Sequence, residues 1–373
     1  MSAGPIEPIS LGQFFLMVVV TILGGGVYIW PSAILADAGQ ASPYALGLSI
    51  GLAFALVWLQ TLWPPYTHGA SQLSRMRTVW GWMRWPLFLG SVTLYLALGG
   101  CLMASFSQML HVNFYSLTPL WVFELTGVIV MGWLAAKPLS QVARNVQFWL
   151  PLLLGSFFVL AVMAISHLQT LAALRPSSVI PVWAVGKALL STWFLWIQGD
   201  VIVTLGAHVR DVPWTRIRHW ALAAIAFQGL MLIVIYVLVV GTLGVDFPSA
   251  LEWPLVYIFS DLTISALLIS RPDLLIIISW VIALLLYESV TLMVLTINIQ
   301  DALSLPQSVR TILVWIFAAV LGGLATQIAT PVVANNIVLH WINPTALGLT
   351  VFSSILAPLL VRRRRSRDTA GEG

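Results

Sequence analysis

Apolar residues run along this chain in long stretches, near 10–36, 43–63, 86–110, 118–136, 140–166, 183–206, 217–243, 273–300, 309–330 and 341–361. Short turns rich in Pro, Gly and charge divide them, and only two connections are longer, 64–85 and 244–272. An α-helix needs about 20 apolar residues to cross the hydrocarbon core of a bilayer. The pattern therefore predicts an all-α integral membrane protein with about ten transmembrane helices. Residues 1–9 are expected to be a cytoplasmic N-terminus, 10–361 a single transmembrane domain, and 362–373 a basic cytoplasmic tail. No Lys or Arg precedes the first apolar run. The basic region of a cleavable signal peptide is thus missing, and the first stretch reads as a true span.

Composition strengthens this picture. Only 8% of residues are charged and 60% are apolar, whereas a soluble domain is about a quarter charged. The mean hydropathy of +0.96 belongs to the whole chain, so no sizeable soluble domain is expected beside the spans. Cys101 is the single cysteine, which rules out an internal disulfide. The net charge of +4 is explained by where the charges sit. With the N-terminus in the cytoplasm, 14 of the 17 Lys and Arg fall on the inner side, Arg175 and Arg271 fall outside, and Lys187 lies in a span. The outer loops carry Asp37, Asp246, Glu252, Asp261 and Asp273 instead. This asymmetry predicts that both termini are cytoplasmic. The run Arg362–Arg365 reads as an anchor facing anionic lipid, not as a nucleic-acid site.

Two spans carry breaks. The first contains Gly24-Gly25-Gly26, followed by Tyr28, Trp30 and Pro31. Each glycine in a helix interior costs about 1 kcal/mol relative to alanine, so the backbone is expected to unwind there. Close helix packing through small residues is the alternative. The sixth span contains Trp196-Ile197-Gln198-Gly199-Asp200. An aspartate at a span centre costs about 2.5–3.5 kcal/mol on insertion scales. Unwound backbone at membrane depth must contact protein or line a cavity. The two breaks occupy corresponding places in two five-span halves, about 10–166 and 183–361. Interrupted helices in matching positions point to an inverted-repeat permease with a binding site near the midplane. The correspondence is one of position; residue-level similarity between the halves is not evident.

With these residues in view, the chain resembles the B subunit of spore germinant receptors, the GerAB-like spore germination permeases of the amino acid/polyamine/organocation superfamily. The resemblance runs from about Ile9 to the last span. It rests on Ile22-Leu23-Gly24-Gly25-Gly26 leading to Trp30-Pro31 and Asp37-Ala38-Gly39-Gln40. Further on come Thr118-Pro119-Leu120-Trp121, Val142-Ala143-Arg144, Glu252-Trp253-Pro254 and Arg271-Pro272-Asp273. Their order and spacing carry the likeness more than any one of them. The chain departs from the family pattern in its richness in Trp, and in reading Gln-Gly-Asp where an apolar stretch ending in Glu is expected. The resemblance implies a LeuT-like fold of 5+5 inverted repeats with helices 1 and 6 broken. It also implies a germinant-sensing subunit that binds a small molecule, such as an amino acid, in the spore inner membrane. The partners implied are an A-type subunit and a lipoprotein C-type subunit. A free-standing amino-acid or polyamine transporter of the same superfamily is the alternative, and a structural scaffold with a vestigial pocket is a third.

In such a fold the pocket lies between spans one, three, six and eight. The expected ligand-binding residues are Gly24, Gly25, Gly26 and Tyr28 of span one and Tyr95 of span three. Trp196, Gln198, Gly199 and Asp200 join them from span six, and Tyr287, Glu288 and Ser289 from span eight. A ligand carboxylate would meet the N–H groups after Gly26, and Asp200 would meet a ligand ammonium or else be a structural acid. Glu288 is an intramembrane acid and hence a functional candidate. Glu124 and Ser105 are weaker candidates, and Lys187 is expected to snorkel to the outer interface. Ser289 and Thr291 do not make an adjacent hydroxyl pair for sodium, and span five carries no Lys. No metal cluster, catalytic triad or phosphate loop is recognisable, so the sequence suggests neither a cofactor nor an enzyme.

Overall fold

The computed structural model describes residues 7–24, 26, 29–62, 71–169, 171–197, 199–260 and 273–354. Among them the only β pairing is one isolated bridge between Ile9 and Val209. Gly25, Tyr28, Gln198, Arg271, Pro272 and the tail beyond residue 354 lie outside the described residues.

Helix α1 (Leu11–Leu23) starts on a reciprocal cap. Ser10 Oγ accepts from the Gln13 N–H at 3.2 Å, and Gln13 Oε1 accepts from the Ser10 N–H at 3.0 Å. These bonds satisfy two N–H groups that would otherwise be orphaned at the helix start. The helix stops at Gly24, and α2 (Trp30–Ala38) resumes with Pro31 in its first turn. Gly39 (φ +51°) ends α2, and a 3₁₀ turn leads into α3 (Ser42–Gln60). Next come α4 (Gln72–Trp80), α5 (Arg84–Asn113), α6 (Leu120–Ala135) and α7 (Leu139–Ile165). The second half holds α8 (Val182–Ser191), α9 (Gly199–Ala207), α10 (Trp214–Leu243), the short α11 (Asp246–Ser249) and α12 (Pro254–Ser260), α13 (Asp273–Leu303) and α14 (Gln307–Gln327). The last described element is α15 (Pro331–Ile337), which passes through a π turn at Val338–Ile342 and continues helically to residue 354.

Each apolar stretch expected from sequence carries helix. Six apolar helical stretches are long enough to cross a membrane, and a seventh is obtained if Val182–Ser191 and Trp193–Ala207, bent by 56°, form one span. One of the six, Trp30–Gln60, is divided at Gly39, and α6 has 16 residues. The molecule is thus a multi-pass membrane protein, while ten remains an expected count. Two boundaries differ from expectation. The last helix begins at Pro331, capped by Thr330, about ten residues earlier than its apolar run. The connection 64–85 holds α4, an element without an apolar run to announce it.

Packing follows a membrane logic. On α7, Val142, Val146, Leu150, Leu153, Phe157, Leu160 and Ala164 are buried, while Phe148, Leu152, Val159 and Val162 on the opposite face are exposed. Both faces are apolar because one meets protein and the other meets lipid. Helix α13 is the interior element: its apolar window is 78% buried, against 33% for α7 and α14. It packs against α1, α5, α6, α7 and α14. Arg310, 2% exposed, donates to the carbonyls of Ala135 (3.4 Å), Ala136 (3.1 Å) and Lys137 (2.9 Å). It closes the C-terminus of α6, where carbonyls are unpaired and positive charge is favoured.

Candidate functional site

The two breaks meet. Gly26 holds φ +107°, a region that side chains rarely tolerate. A Cβ there would lie 2.7 Å from Phe194 Cε2 and 3.1 Å from Leu102 Cδ2. Phe194 belongs to the 3₁₀ turn Trp193–Trp196 inside the sixth span, and Leu102 to α5. Gly24 faces the other way, where a Cβ would collide with Ala283 O and Tyr287 Cβ of α13. Gly26 is therefore a contact surface against span six and Gly24 against span eight. Unwinding and small-residue packing, posed as alternatives from sequence, occur together.

The sixth span unwinds differently. Helix α8 ends at Ser191, the 3₁₀ turn carries four bulky buried residues, and α9 restarts at Gly199. Two of the carbonyls this releases are taken by side chains of other spans. Tyr95 Oη on α5 donates to Ile197 O at 2.9 Å, and Asn343 Nδ2 donates to Ser191 O at 2.9 Å. Asn343 is fully buried and follows the π turn of the last helix directly. Pro344 has no N–H for the carbonyl four residues back, and the wider π turn relieves that conflict. The indole N–H groups of Trp193 and Trp196 are buried without a partner among the described residues.

Asp200 stands in the first turn of α9, where its charge complements the helix dipole. Its carboxylate accepts a hydrogen bond from Ser91, and Tyr95 lies within electrostatic range of both Asp200 and Tyr287. Beside Asp200 is a cavity of about 40 Å³ whose lining includes Gln60, Met76, Ser91, Tyr95, Thr350 and Ser353. By the space one water needs, this admits a few water molecules. Gln60 fits closely over Gly199, where a Cβ would lie 2.5 Å from its amide oxygen.

The candidates fall into two groups. Gly24, Gly26, Tyr95, Trp196, Gly199, Asp200 and Tyr287 gather around the breaks. Glu288 and Ser289, one and two residues past Tyr287, meet α5 and α6 respectively. The Glu288 carboxylate, 1% exposed, presses on Gly99 of α5 and is paired with no described residue. Leu321 of α14 approaches the same point. Ser289 Oγ donates to Leu285 O (2.6 Å) and lies 3.3 Å from Met131 O of α6. Glu124 is buried on α6 and Ser105 on α5. Lys187 is 59% exposed, as a snorkelling lysine would be, and pairs at 2.8 Å with Asp37 of α2. Among the described residues no three His, Cys, Asp or Glu side chains gather as metal ligands would. Asn343 and Gln60 were not singled out from sequence. A buried Asn ahead of a Pro within an apolar run was the available signal for the first; nothing marked the second.

Comparison with known proteins gives a family and a fold. No curated protein matches the chain. Among solved structures, the crystal structure of MhsT in complex with L-phenylalanine is similar, with a TM-score of 0.68 and 15% sequence identity. The match covers 94% of this chain and 90% of that one. At that identity the likeness speaks for the fold, which is LeuT-like. The family model described as spore germination protein, the spore permeases, matches residues 8–328. With its broken helices meeting inside an all-helical membrane bundle, the chain belongs to the spore germination permease family.

Proposed function

We propose that the protein is the germinant-sensing, permease-like subunit of a spore germination receptor. It binds a small molecule, of which an amino acid is the leading class, where the two broken spans meet. It resides in the spore inner membrane with both termini in the cytoplasm, and works with A-type and lipoprotein C-type subunits. Family membership supports the setting. The single observation that carries the binding role is the approach of Gly26 to Phe194, with Asp200 one helical start away. Asp200 is the acid that meets a ligand ammonium, and released backbone groups of the breaks meet the rest of the ligand. The similar MhsT structure is a complex of that protein with L-phenylalanine, and amino acids are accordingly the first compounds to test.

The test has two arms. Purified full-length protein is heated with each of the twenty common amino acids, and a binder raises its melting temperature in a concentration-dependent way. Spores carrying Asp200→Asn are then compared with wild type for germinant dose-response at matched receptor level by immunoblot. The expected result is a threshold raised about tenfold, equivalent to about 1.4 kcal/mol. An unchanged dose-response at normal protein level would overturn the role of Asp200. Sustained uptake of a labelled amino acid by vesicles containing this chain alone would move the assignment to a free-standing transporter.

A further inference from the structure

The cavity beside Asp200 does not lie between spans one and eight. Its wall is the last helix: Ala346, Leu349, Thr350 and Ser353 line it, on the side that Asn343 begins one turn earlier. Leu87 and Ser91 near the start of α5 also line it, and Met76 comes from α4. The end of the molecule that these helices reach can be identified from contacts. Trp80 of α4 stacks on Phe352 of the last helix at 5.3 Å. The other end of α4 is fixed to α13 and α9. Ser71 N–H donates to Asp301 Oδ2 (2.9 Å), Leu73 N–H to Asn298 Oδ1 (2.8 Å), and Gln72 N–H reaches Thr204 Oγ1 (3.4 Å). Ile9, ahead of α1, pairs through its backbone with His208 and Arg210 past the end of α9. The helices that line the cavity therefore reach the face where the chain enters the first span and where the last described helix ends.

Its chemistry is one-sided. Among the described residues that line it, Asp200 is an acid, Ser91, Tyr95, Thr350 and Ser353 bring hydroxyls, Gln60 brings an amide, and there is no Lys, Arg or His. Asp200 lines the cavity and is only partly buried. A narrow passage with one sign of charge in low-dielectric walls concentrates ions of the opposite sign.

We propose that this cavity is a cation vestibule. It would be a water-filled passage between α4, α5, α9 and the last helix that admits small cations from the terminus-bearing face and holds them at Asp200. Two sources share this chemistry, an organic ammonium and an inorganic monovalent cation. The inference rests on the reading of Asp200 as the partner of a cation and adds its access route; its test needs no amino acid, so it can fail while the germinant dose-response stands.

The test uses the full-length protein in nanodiscs, where both faces are accessible. Cys101 is 2% exposed and remains in place. Thr350→Cys and Ser353→Cys are each exposed to a trimethylammonium-bearing methanethiosulfonate and to its sulfonate counterpart. Leu152→Cys, on the lipid face of α7, is the unreactive control. The expected result is that the cationic reagent reacts at least fivefold faster than the anionic one, after correction by a free thiol. That preference should vanish with Asp200→Asn and survive Asp200→Glu. Should Asp200→Asn not accumulate, collapse of the preference in about 1 M salt reads the same field on the unaltered acid. Methylammonium that slows the reaction at constant ionic strength assigns an organic ammonium, and sodium or potassium that does so assigns an inorganic cation. No modification, no charge preference, a preference indifferent to Asp200, or protection by neither cation would each overturn the vestibule.

Discussion

The break in span one and the break in span six solve the same problem in opposite ways. Both release backbone groups inside a bilayer, where an unsatisfied group is costly. Span one does so with glycines, and neighbours move into the missing side-chain volume: Tyr287 and Ala283 at Gly24, Phe194 and Leu102 at Gly26. Span six does so with Trp193, Phe194, Leu195 and Trp196, and recovers its carbonyls through tethers from Tyr95 and Asn343. One break is defined by absent atoms and the other by added hydrogen bonds. Substitution should therefore act steeply at the first and by degrees at the second.

The steepest effects are expected from Gly24→Ala and Gly26→Ala. At Gly24 the added methyl meets a backbone carbonyl and a Cβ, neither of which can rotate away. At Gly26 it adds a strained φ of about 1–3 kcal/mol to a collision with a ring. Folded protein recovered after purification should fall several-fold in each case. Gly47→Ala and Gly51→Ala have open space around them and should be recovered as wild type. Equal recovery of all four would remove the contrast between the breaks.

The tethers come next. Tyr95→Phe removes the donor to Ile197 O, and Asn343→Leu removes the donor to Ser191 O. Each leaves a carbonyl deprived of a partner, at a cost of about 1–3 kcal/mol. Lower melting temperatures with the fold retained are expected. If the two act on one break, the double variant should lose less than the sum of the singles, since residues that share an element are not independent. Full additivity would separate the two ends of the break.

These residues also mark how far the sequence could be read. The fold was legible because apolar length and breaks at Gly24–Gly26 and Gly199–Asp200 depend on composition along the chain. The facing of span eight was not. Successive residues on a helix point about 100° apart, so Tyr287, Glu288 and Ser289 address three different neighbours although they form one motif in the sequence. Asn343 was missed because its partner is a carbonyl 152 residues earlier that is free only because span six breaks. Helix α4 was missed because its stability comes from Asp301 and Asn298, far along the chain. The ion pair of Lys187 with Asp37 likewise depends on α2 packing against α8.

The two intramembrane acids sharpen the comparison at the level of function. Asp200 opens on the cavity and Glu288 presses on Gly99. Glu288→Gln should leave the germinant threshold within about twofold of wild type, while Asp200→Asn raises it about tenfold, a difference of roughly 1 kcal/mol. Spore dose-response at matched receptor level measures both. A threshold raised equally by the two would mean that span eight presents Glu288 to the ligand in the working state.

The smallest effect is expected where α2 and α8, one half of each broken span, are joined by charge. Lys187 of α8 and Asp37 of α2 meet at 2.8 Å, with Lys187 59% exposed and Asp37 12% exposed. An ion pair with one partner in water gains little, because solvent and salt screen it and a long side chain loses freedom in making it; such pairs contribute about 0.2–1 kcal/mol. The two deletions should not be equal. Lys187→Gln leaves a largely covered carboxylate without its cation, whereas Asp37→Asn leaves an ammonium that can turn into solvent. The first variant should therefore melt lower than the second, and a double-mutant cycle should give a coupling under about 1 kcal/mol that shrinks as salt is raised. Melting of the four proteins at low and high salt provides the measurement. A coupling that stays large at high salt would mean that charge, and not the packing of α2 on α8, aligns these two helices. In that case the two breaks could not be treated as independent sites.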